Sequence, residues 1–180
     1  NNGRRKVSVA YFNHGTEHGR DAEKFLVKYC KDNNLKFYVD RIQRDRLPRE
    51  SLEEYWRNER YRFFQTLYQR LNKLIVTGHH LDDAVEWWVY TSLHGIPRLT
   101  PYENSNIGII RPFLLTSKQK MLDWVNRKRI PYVEDPSNSS TKHARNIVRH
   151  KIIPSCLEVQ PGLSTVILKK LKESVKHYEY

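Results

Sequence analysis

The sequence predicts an α/β fold in which a doubly wound, mostly parallel sheet is flanked by helices and followed by a helical C-terminal segment. Short apolar runs of strand length alternate with longer segments of helical period. A strand, a helix and a second strand follow one another up to Val39, and a right-handed βαβ crossover of this kind implies parallel strands. The 180 residues suffice for one core-bearing domain with a small appendage. We therefore expect an α/β domain over residues 1–154 and a helical extension over 155–180.

The first half of the chain has clear local signals. Residues 6–12 form an alternating strand, residues 19–32 an amphipathic helix, and residues 35–39 a second strand. After a basic loop over 41–49, Ser51 and Glu54 have capping-box spacing for a long helix. The predicted core stripe of that helix is Leu52, Tyr55, Trp56, Phe63, Phe64, Leu67 and Leu71.

At the centre of the chain, a buried strand over 73–77 leads into a helix that starts near Leu81 and ends at Gly95. Helical spacing places His79, Asp83 and Glu86 on a polar side, opposite the apolar positions. In open α/β sheets, the ligand crevice lies at the carboxyl ends of strands and at the helix N-termini that follow them. His79 and Asp83 are therefore candidates for acid/base chemistry or for holding a magnesium ion near phosphates.

The second half contains an apolar strand over 107–115, where Pro112 indicates an edge strand or a strand end. Thr116 or Ser117 caps the next helix, and residues 131–133 form a last short strand. A further helix ends at Pro154 and carries Arg145 and Arg149 on its outer side, and residues 163–180 form a terminal helix. The inward positions predicted for the helix before Pro154 are Ala144, Ile147, Val148 and Ile152.

The composition favours a polyanionic partner. Lys and Arg number 32 against 20 Asp and Glu, which gives a formal net charge of +12. Cys30 and Cys156 lie far apart in apolar helical patterns, which excludes a CxxC metal site and is typical of a reducing cytoplasm. We expect neither a membrane span nor a signal peptide. Since Asn1 is not an initiator methionine, we expect the chain to be a fragment.

Several basic residues have two interpretations. Arg57 and Arg60 flank the interrupted core stripe of the long helix, where arginines bind carboxylates or phosphates; a structural salt bridge with Glu53 or Glu59 is the alternative. Arg145 and Arg149 form either a phosphate-binding face or a solvated one. His14 follows the first strand and is a candidate by its position alone.

Seven motifs occur in the order found in one enzyme family. They are Asn13-His14-Gly15, the helix with Arg57-Asn58-Glu59-Arg60-Tyr61, the segment from Gly78 to Glu86, Arg111-Pro112-Phe113-Leu114-Leu115, Glu134-Asp135-Pro136-Ser137-Asn138, Arg145 to His150, and Ile152-Ile153-Pro154. With these motifs the chain resembles the tRNA(Ile)-lysidine synthetases of the PP-loop ATP pyrophosphatases. The resemblance covers most of the chain and implies the adenine nucleotide alpha hydrolase-like fold.

The resemblance implies an ATP-dependent ligation. The wobble cytidine of an isoleucine tRNA with a CAU anticodon is adenylated, and free lysine then displaces AMP to give lysidine. The implied catalytic residues are His79, Asp83, Glu86 and Arg57, with Asp83 and Glu86 as magnesium ligands. ATP, phosphate or tRNA would contact His14, Arg60, Arg111, Arg145, Asn146 and Arg149, and Asp135, Ser137 and Asn138 would form a neighbouring loop. A homodimer is left open.

The chain departs from the family pattern in two places. The Ser-Gly-Gly-x-Asp-Ser loop that cradles the phosphates of ATP is absent from this sequence, so we expect it to lie upstream of Asn1. Ala84 and Trp87 replace the usual glutamine and threonine of the central motif. Two alternatives therefore stay open: a catalytically incomplete tRNA-binding fragment, and another PP-loop tRNA-modifying enzyme such as a thiolase.

Overall fold

A computed structural model describes residues 7–136 and 144–175 and divides the chain into two compact units. The first unit comprises the residues up to Asn72 together with Val133–Asp135, and the second comprises Lys73–Tyr132 and the residues from Pro136 onward. Among the described helices, none combines the length and the apolar character needed to cross a membrane. The prediction of an α/β fold with parallel strand pairs is confirmed.

The first unit is a βαβ unit followed by a long helix. Strand β1 (Ser8–Asn13) pairs in parallel with β2 (Lys36–Arg41), so that Ser8 lies opposite Lys36 and Asn13 opposite Arg41. Helix α1 (Glu17–Asp32) connects the two strands and is capped by the Thr16 hydroxyl, which accepts from the Gly19 N–H. Helix α2 (Leu52–Leu71) begins at the predicted cap, where the Ser51 side chain accepts from the Glu54 N–H.

The core of the first unit contains fewer α2 residues than the stripe predicted. Phe12 and Cys30 are buried with Tyr55, Phe63 and Leu67, and the rings of Phe12 and Phe63 are 6.0 Å apart. Leu52, which was predicted to be in the core, is 37% exposed because it lies at the first turn of α2. The interruption of the stripe is real, since Glu59 is buried among these apolar residues.

The second unit contains a three-stranded sheet. Strand β5 (Ile109–Ile110) lies in the middle, parallel to β3 (Ile75–Val76) and antiparallel to β4 (Glu103–Asn104). The strand predicted over 107–115 therefore ends at Ile110, just before Arg111-Pro112, and the strand-end interpretation of this proline is confirmed. A strand is present within residues 73–77, as predicted. The prediction that this strand is buried is wrong, because Val76 is 58% exposed. The strand predicted over 131–133 is wrong: these described residues have no ladder partner, and Pro131 has no N–H to donate.

Helices complete the second unit. Helix α3 (Leu81–Leu93) follows β3, and α4 (Lys118–Arg127) starts after the Ser117 cap. Helix α5 (Ala144–Ile147) continues through a π-helical turn (Val148–Ile152) into α6 (Ile153–Val159), and α7 (Leu163–Val175) follows. The predicted helix end at Pro154 is wrong, because this proline occupies the first turn of α6, where its missing N–H is tolerated.

The core of the second unit lies between α3 and α7. Leu81, Ala84 and Val85 of α3 pack with Ile167 and Leu171 of α7. Val148 is buried as predicted, but Ala144 and Ile147 are exposed, because the π-helical turn changes the register of the segment. Helix α7 thus belongs to the core of its unit, and a boundary at residue 154 stays a prediction.

Candidate active site

The N-terminus of α3 holds the first group of predicted site residues. His79 lies just before the helix, with its Nδ1 atom 2.9 Å from the Thr77 hydroxyl. His80 is the N-cap: its Nδ1 accepts from the Asp83 N–H at 3.4 Å, and the Asp83 carboxylate accepts from the His80 N–H at 3.0 Å. This reciprocal capping box fixes the Asp83 carboxylate at the first turn, where the helix dipole stabilises negative charge.

Glu86 lies one turn further along α3 and is buried, with 4% exposure. The Arg149 guanidinium binds it with two bonds, Nε to Oε1 at 2.6 Å and Nη2 to Oε2 at 3.1 Å. Arg149 Nη2 also lies 3.9 Å from Asp83 Oδ1. Hydrogen bonding to Glu86 and the nearby charges of Asp83 and Asp82 raise the pKa of Arg149 against the effect of burial, so this arginine stays charged.

This pairing corrects two predictions. Glu86 does not point outward from the polar side of α3, because Arg149 covers it. Arg149 does not lie on an outer, solvated face, since its side chain is 30% exposed and turned toward α3. From the motifs, Glu86 and Arg149 are both expected near the phosphates of a ligand. The structure brings these two residues together with Asp83.

The predicted magnesium ligands fit a metal only in part. Both oxygens of Glu86 accept from Arg149, which leaves this carboxylate committed to a protein partner. One oxygen of Asp83 accepts from His80, and the other has Arg149 at 3.9 Å. Within the described ranges, there is no group of three or more His, Cys, Asp or Glu that could hold a metal ion. Of the two predicted ligands, Asp83 therefore suits a magnesium ion better than Glu86 does, provided that substrate phosphates supply most of the other ligands.

A second group of predicted residues lies in the first unit, around His14. The imidazole packs against the rings of Phe12 at 5.2 Å and Trp56 at 5.3 Å. Its Nδ1 atom is buried and has no hydrogen-bond partner among the described residues. Burial and the positive charge of Arg60 lower the pKa of His14 to about 4, while the Asp135 carboxylate acts in the opposite direction. The structure therefore brings His14, Arg60 and Asp135 together, with a neutral imidazole at pH 7.

Of the two arginines that the sequence places beside the core on α2, Arg57 differs from its predicted position and Arg60 is half-buried as expected. Arg57 is exposed, with its guanidinium 4.6 Å from the centre of the Tyr61 ring, and Arg60 is 5.8 Å from the same ring. The buried carboxylate of Glu59 is paired with Arg44 at 2.7 Å and with Arg62 at 3.3 Å. The expectation that Arg57 is held beside the core is therefore wrong, because a cation–π contact holds it at the surface.

The remaining predicted residues are scattered or lie outside the described part. Arg111 is buried, and its Nη1 donates to the Pro101 carbonyl at 2.8 Å. Arg145 and Asn146 lie on α5 and are half-buried. Ser137 and Asn138 fall outside the described residues.

Two residues with a clear role were missed. Arg44 binds both Glu59 and Glu50, and it has no motif that would mark it in a basic loop. His80 is the N-cap of α3. The three-residue spacing from His80 to Asp83 is that of a capping box, so the sequence did contain a signal that could have identified this cap. Asp82 also joins the start of α3 to that of α4, since its carboxylate accepts from the Lys118 N–H at 2.7 Å.

Comparison with known proteins agrees with this architecture. A family model described as a PP-loop domain matches residues 1–156. A tRNA(Ile)-lysidine synthase from Staphylococcus epidermidis is 31% identical over 179 residues, which cover 94% of this chain and 41% of the relative. One from Legionella pneumophila is 32% identical over 166 residues, which cover 88% of this chain and 38% of the relative. The chain thus spans about two fifths of the length of the relatives that it matches.

A solved structure supports the fold. The U34-tRNA thiolase NcsA from Methanococcus maripaludis, determined with its [4Fe-4S] cluster, superimposes with a TM-score of 0.72 over 94% of this chain and 61% of its own. The two sequences are 14% identical, so this likeness concerns the fold alone. With the family match over residues 1–156 and the parallel strand pairs described above, the chain belongs to the PP-loop domain family.

Proposed function

We propose that this chain forms part of an enzyme that uses ATP to adenylate the wobble cytidine of an isoleucine tRNA and then ligates free lysine to it. The observation that carries the proposal is the match along about nine tenths of the chain to relatives named tRNA(Ile)-lysidine synthase. Because the chain spans about two fifths of those relatives, the activity is that of the whole protein. We propose that the reaction takes place in the cytoplasm. A homodimer is a further proposal, which gel filtration would distinguish from a monomer.

The proposed chemistry has two balanced steps. The single carbonyl oxygen of the cytosine ring attacks the α-phosphorus of ATP, and the bond to pyrophosphate breaks. The lysine amine then attacks the carbon that bears this oxygen, and AMP leaves with the oxygen while the amine proton passes to a base. Both steps increase negative charge on a phosphate leaving group, so cations fixed in advance lower the barrier.

Arg149 suits the role of such a fixed cation. Glu86 holds its guanidinium through two bonds in a buried setting, so little reorganisation is needed when charge develops nearby. Glu86 is then a positioning residue that acts through Arg149. Arg145, Asn146 and Arg60 are assigned to tRNA or phosphate contacts by motif, and Arg57 to positioning the substrate for catalysis. The motif also implies a ligand contact for Arg111, but its buried side chain donates to the Pro101 carbonyl, so we assign it a structural role instead.

Asp83 and His79 carry the remaining proposed roles. Asp83 would bind a magnesium ion carried by ATP, which would supply further stabilisation of the phosphate charge. His79 is proposed as the base that accepts the lysine proton, with its ring oriented by the Thr77 hydroxyl at 2.9 Å. His14, beside Arg60 and Asp135, would contact the nucleotide as a neutral imidazole.

A thiolase is the enzymatic alternative, and the fold likeness to NcsA is its only support. Thiol chemistry requires an accessible thiolate. Cys30 is 2% exposed, and burial raises the pKa of its thiol, so it does not suit that role. The alternative from a different class is an RNA-binding fragment without catalysis, which would bind tRNA with no effect of ATP.

The deciding experiment measures lysine transfer. Transcripts of isoleucine tRNA with a CAU anticodon are incubated with ATP, magnesium and labelled lysine, with this chain and with a version joined to an upstream segment that carries a Ser-Gly-Gly-x-Asp-Ser loop. We expect label in tRNA with the extended chain. No label with either folded protein would overturn the proposal.

Matched variants of the extended chain make the test specific to the site. Asp83→Asn keeps an oxygen for the His80 N–H but loses the charge, and we expect transfer to fall on the order of 100-fold. Asp123→Asn makes the same change on the exposed side of α4 and should leave transfer unchanged. Equal rates for the two variants would remove Asp83 from the proposed site.

A further inference from the structure

One side of α1 carries an uninterrupted series of basic side chains that no motif explains. Arg20, Lys24, Lys28 and Lys31 follow one another at intervals of about one helical turn, and Arg41 at the end of β2 adjoins them. At about 1.5 Å per residue, the series extends roughly 16 Å along the helix. We call this surface, with Glu23 and Val27, the α1 groove.

The α1 groove is open and is lined by side-chain stems. It encloses about 740 Å³. Val27, which lines it, is 49% exposed, and the side chains of Lys24 and Lys28 are 80% and 79% exposed. The charged ends can therefore move toward a ligand while their aliphatic parts cover apolar surface.

The carboxylates around the α1 groove do not cancel its charge. Glu23 is the one acidic residue among the described residues that line it, and its carboxylate is bound by Arg41 and accepts from the Asn13 amide at 2.7 Å. Asp21 pairs with Lys24 and Asp32 pairs with Lys28, but each pair is exposed and joins residues one turn apart on the same helix. Such pairs are weak and screened by salt, so a phosphate can replace the carboxylate.

The α1 groove begins at the edge of the sheet where ligands bind in this class of fold. Arg41 is the last residue of β2, and Arg20 donates to the carbonyl of Gly15, just after β1, at 3.1 Å. The carboxyl ends of parallel strands line the ligand crevice. From that edge, Lys24, Lys28 and Lys31 lead away along α1.

From this arrangement we propose that the α1 groove binds the phosphate backbone of the RNA substrate, on the strand that flanks the nucleotide held at the sheet edge. The inference rests on the proposed function, because it takes the substrate to be an RNA. Lysine charges spaced by one helical turn suit a run of phosphates along a nucleic-acid backbone. Such phosphate contacts position the nucleic acid but do not distinguish one base sequence from another.

The test compares two triple variants of the full chain. Lys24→Gln, Lys28→Gln and Lys31→Gln together remove three charges from the α1 groove. Lys36→Gln, Lys169→Gln and Lys172→Gln remove three exposed charges elsewhere. Binding to a fluorescent tRNA transcript is measured by anisotropy from 50 to 300 mM salt, and circular dichroism checks that both variants are folded.

Each phosphate contact contributes about 0.7 to 0.9 to the slope of log affinity against log salt. We therefore expect the groove variant to lose roughly 2 units of slope and on the order of 100-fold in affinity at 0.1 M salt. The control variant should keep its slope. An unchanged slope in the groove variant, or an equal loss in both variants, would overturn the proposal.

Two further arms separate this inference from the proposed function. If the groove variant loses binding only to vesicles with 30% phosphatidylserine and not to tRNA, the RNA assignment is wrong. Lysine transfer is measured with the same substitutions in the extended chain that carries the Ser-Gly-Gly-x-Asp-Ser loop. If the groove variant still transfers lysine and binds tRNA with unaltered affinity, the RNA-binding role of the α1 groove is refuted and the proposed function is not. If no protein transfers lysine but RNA binding depends on the α1 groove, lysine ligation is refuted and the α1 groove remains an RNA-binding site.

Discussion

Arg149 binds Glu86 through Nε and Nη2, although the two residues are 63 positions apart in the chain. Glu86 is on α3 and Arg149 is in the π-helical turn between α5 and α6. A π-helical turn is frequently found at functional sites because it re-aims side chains within a helix. In this protein, the π-helical turn buries the Val148 side chain and directs the neighbouring Arg149 side chain at the Glu86 carboxylate.

Arg149→Met should destabilise the protein by about 3 kcal/mol, because it leaves the Glu86 carboxylate buried without a compensating charge. The free energy of unfolding is measured with urea at pH 7. Arg145→Met, on the preceding turn, should change it by less than about 0.5 kcal/mol. The double variant Glu86→Met with Arg149→Met should recover most of the loss, since apolar replacement of a whole buried pair is close to neutral. A double variant as unstable as Arg149→Met alone would contradict this account.

Local chemistry explains which features were predictable. The Ser51 and Ser117 caps and the glycine after α3 depend on neighbouring residues alone, and the structure has them where the spacing predicted. The parallel pairing of β1 with β2 follows from the βαβ order.

The side of a helix that a neighbour covers is not a local property. Glu86 was predicted on an open polar side, and the distant Arg149 makes its burial tolerable. The same holds for Glu59, whose partner Arg44 comes from the loop before α2. Periodicity located these carboxylates on their helices but could not identify the cations that compensate them.

Gly19→Ala should destabilise the first unit, although alanine is the better helix former. A Cβ atom at this position would lie 2.7 Å from Asn13 Oδ1 and 3.0 Å from the Thr16 hydroxyl. Asn13 cannot easily move, because it is 1% exposed, accepts from the Gly15 N–H and donates to Glu23. We expect a loss of about 1–3 kcal/mol in urea unfolding. Gly78→Ala, where a Cβ meets nothing within 4 Å, is the control, and a stabilised Gly19→Ala protein would refute the prediction.

Arg111→Met should act on stability and not on RNA binding. The Arg111 side chain is buried and donates to the Pro101 carbonyl, and its backbone N–H donates to Tyr102. Loss of the side-chain bond should cost about 2 kcal/mol, with Arg98→Met, which is exposed, as the control. The slope of tRNA affinity against salt should stay the same. Weaker tRNA binding with unchanged stability would show instead that Arg111 contacts the ligand, as the motif implies.

The pH dependence of stability should contain a contribution from His14. Its pKa is lowered to about 4 by burial and by Arg60, from the ordinary value of 6.5. Between these values the unfolded chain binds a proton that the folded chain does not, so the contribution is fully present above pH 6.5 and is lost as the pH falls toward 4. His14→Phe keeps a ring against Phe12 and Trp56 but cannot titrate.

Urea unfolding of the wild type and of His14→Phe, from pH 7.5 to 4, isolates this contribution from that of the carboxylates. The wild type should lose more stability than the variant over the interval. Arg60→Gln should raise the pKa of His14, because it removes a positive charge beside the imidazole, and Asp135→Asn should lower it further. Both shifts are measured by NMR titration of the imidazole. A wild-type His14 that titrates near 6.5, or equal pH slopes for wild type and His14→Phe, would show that the imidazole is open to water and would remove the basis for a neutral His14 beside the nucleotide.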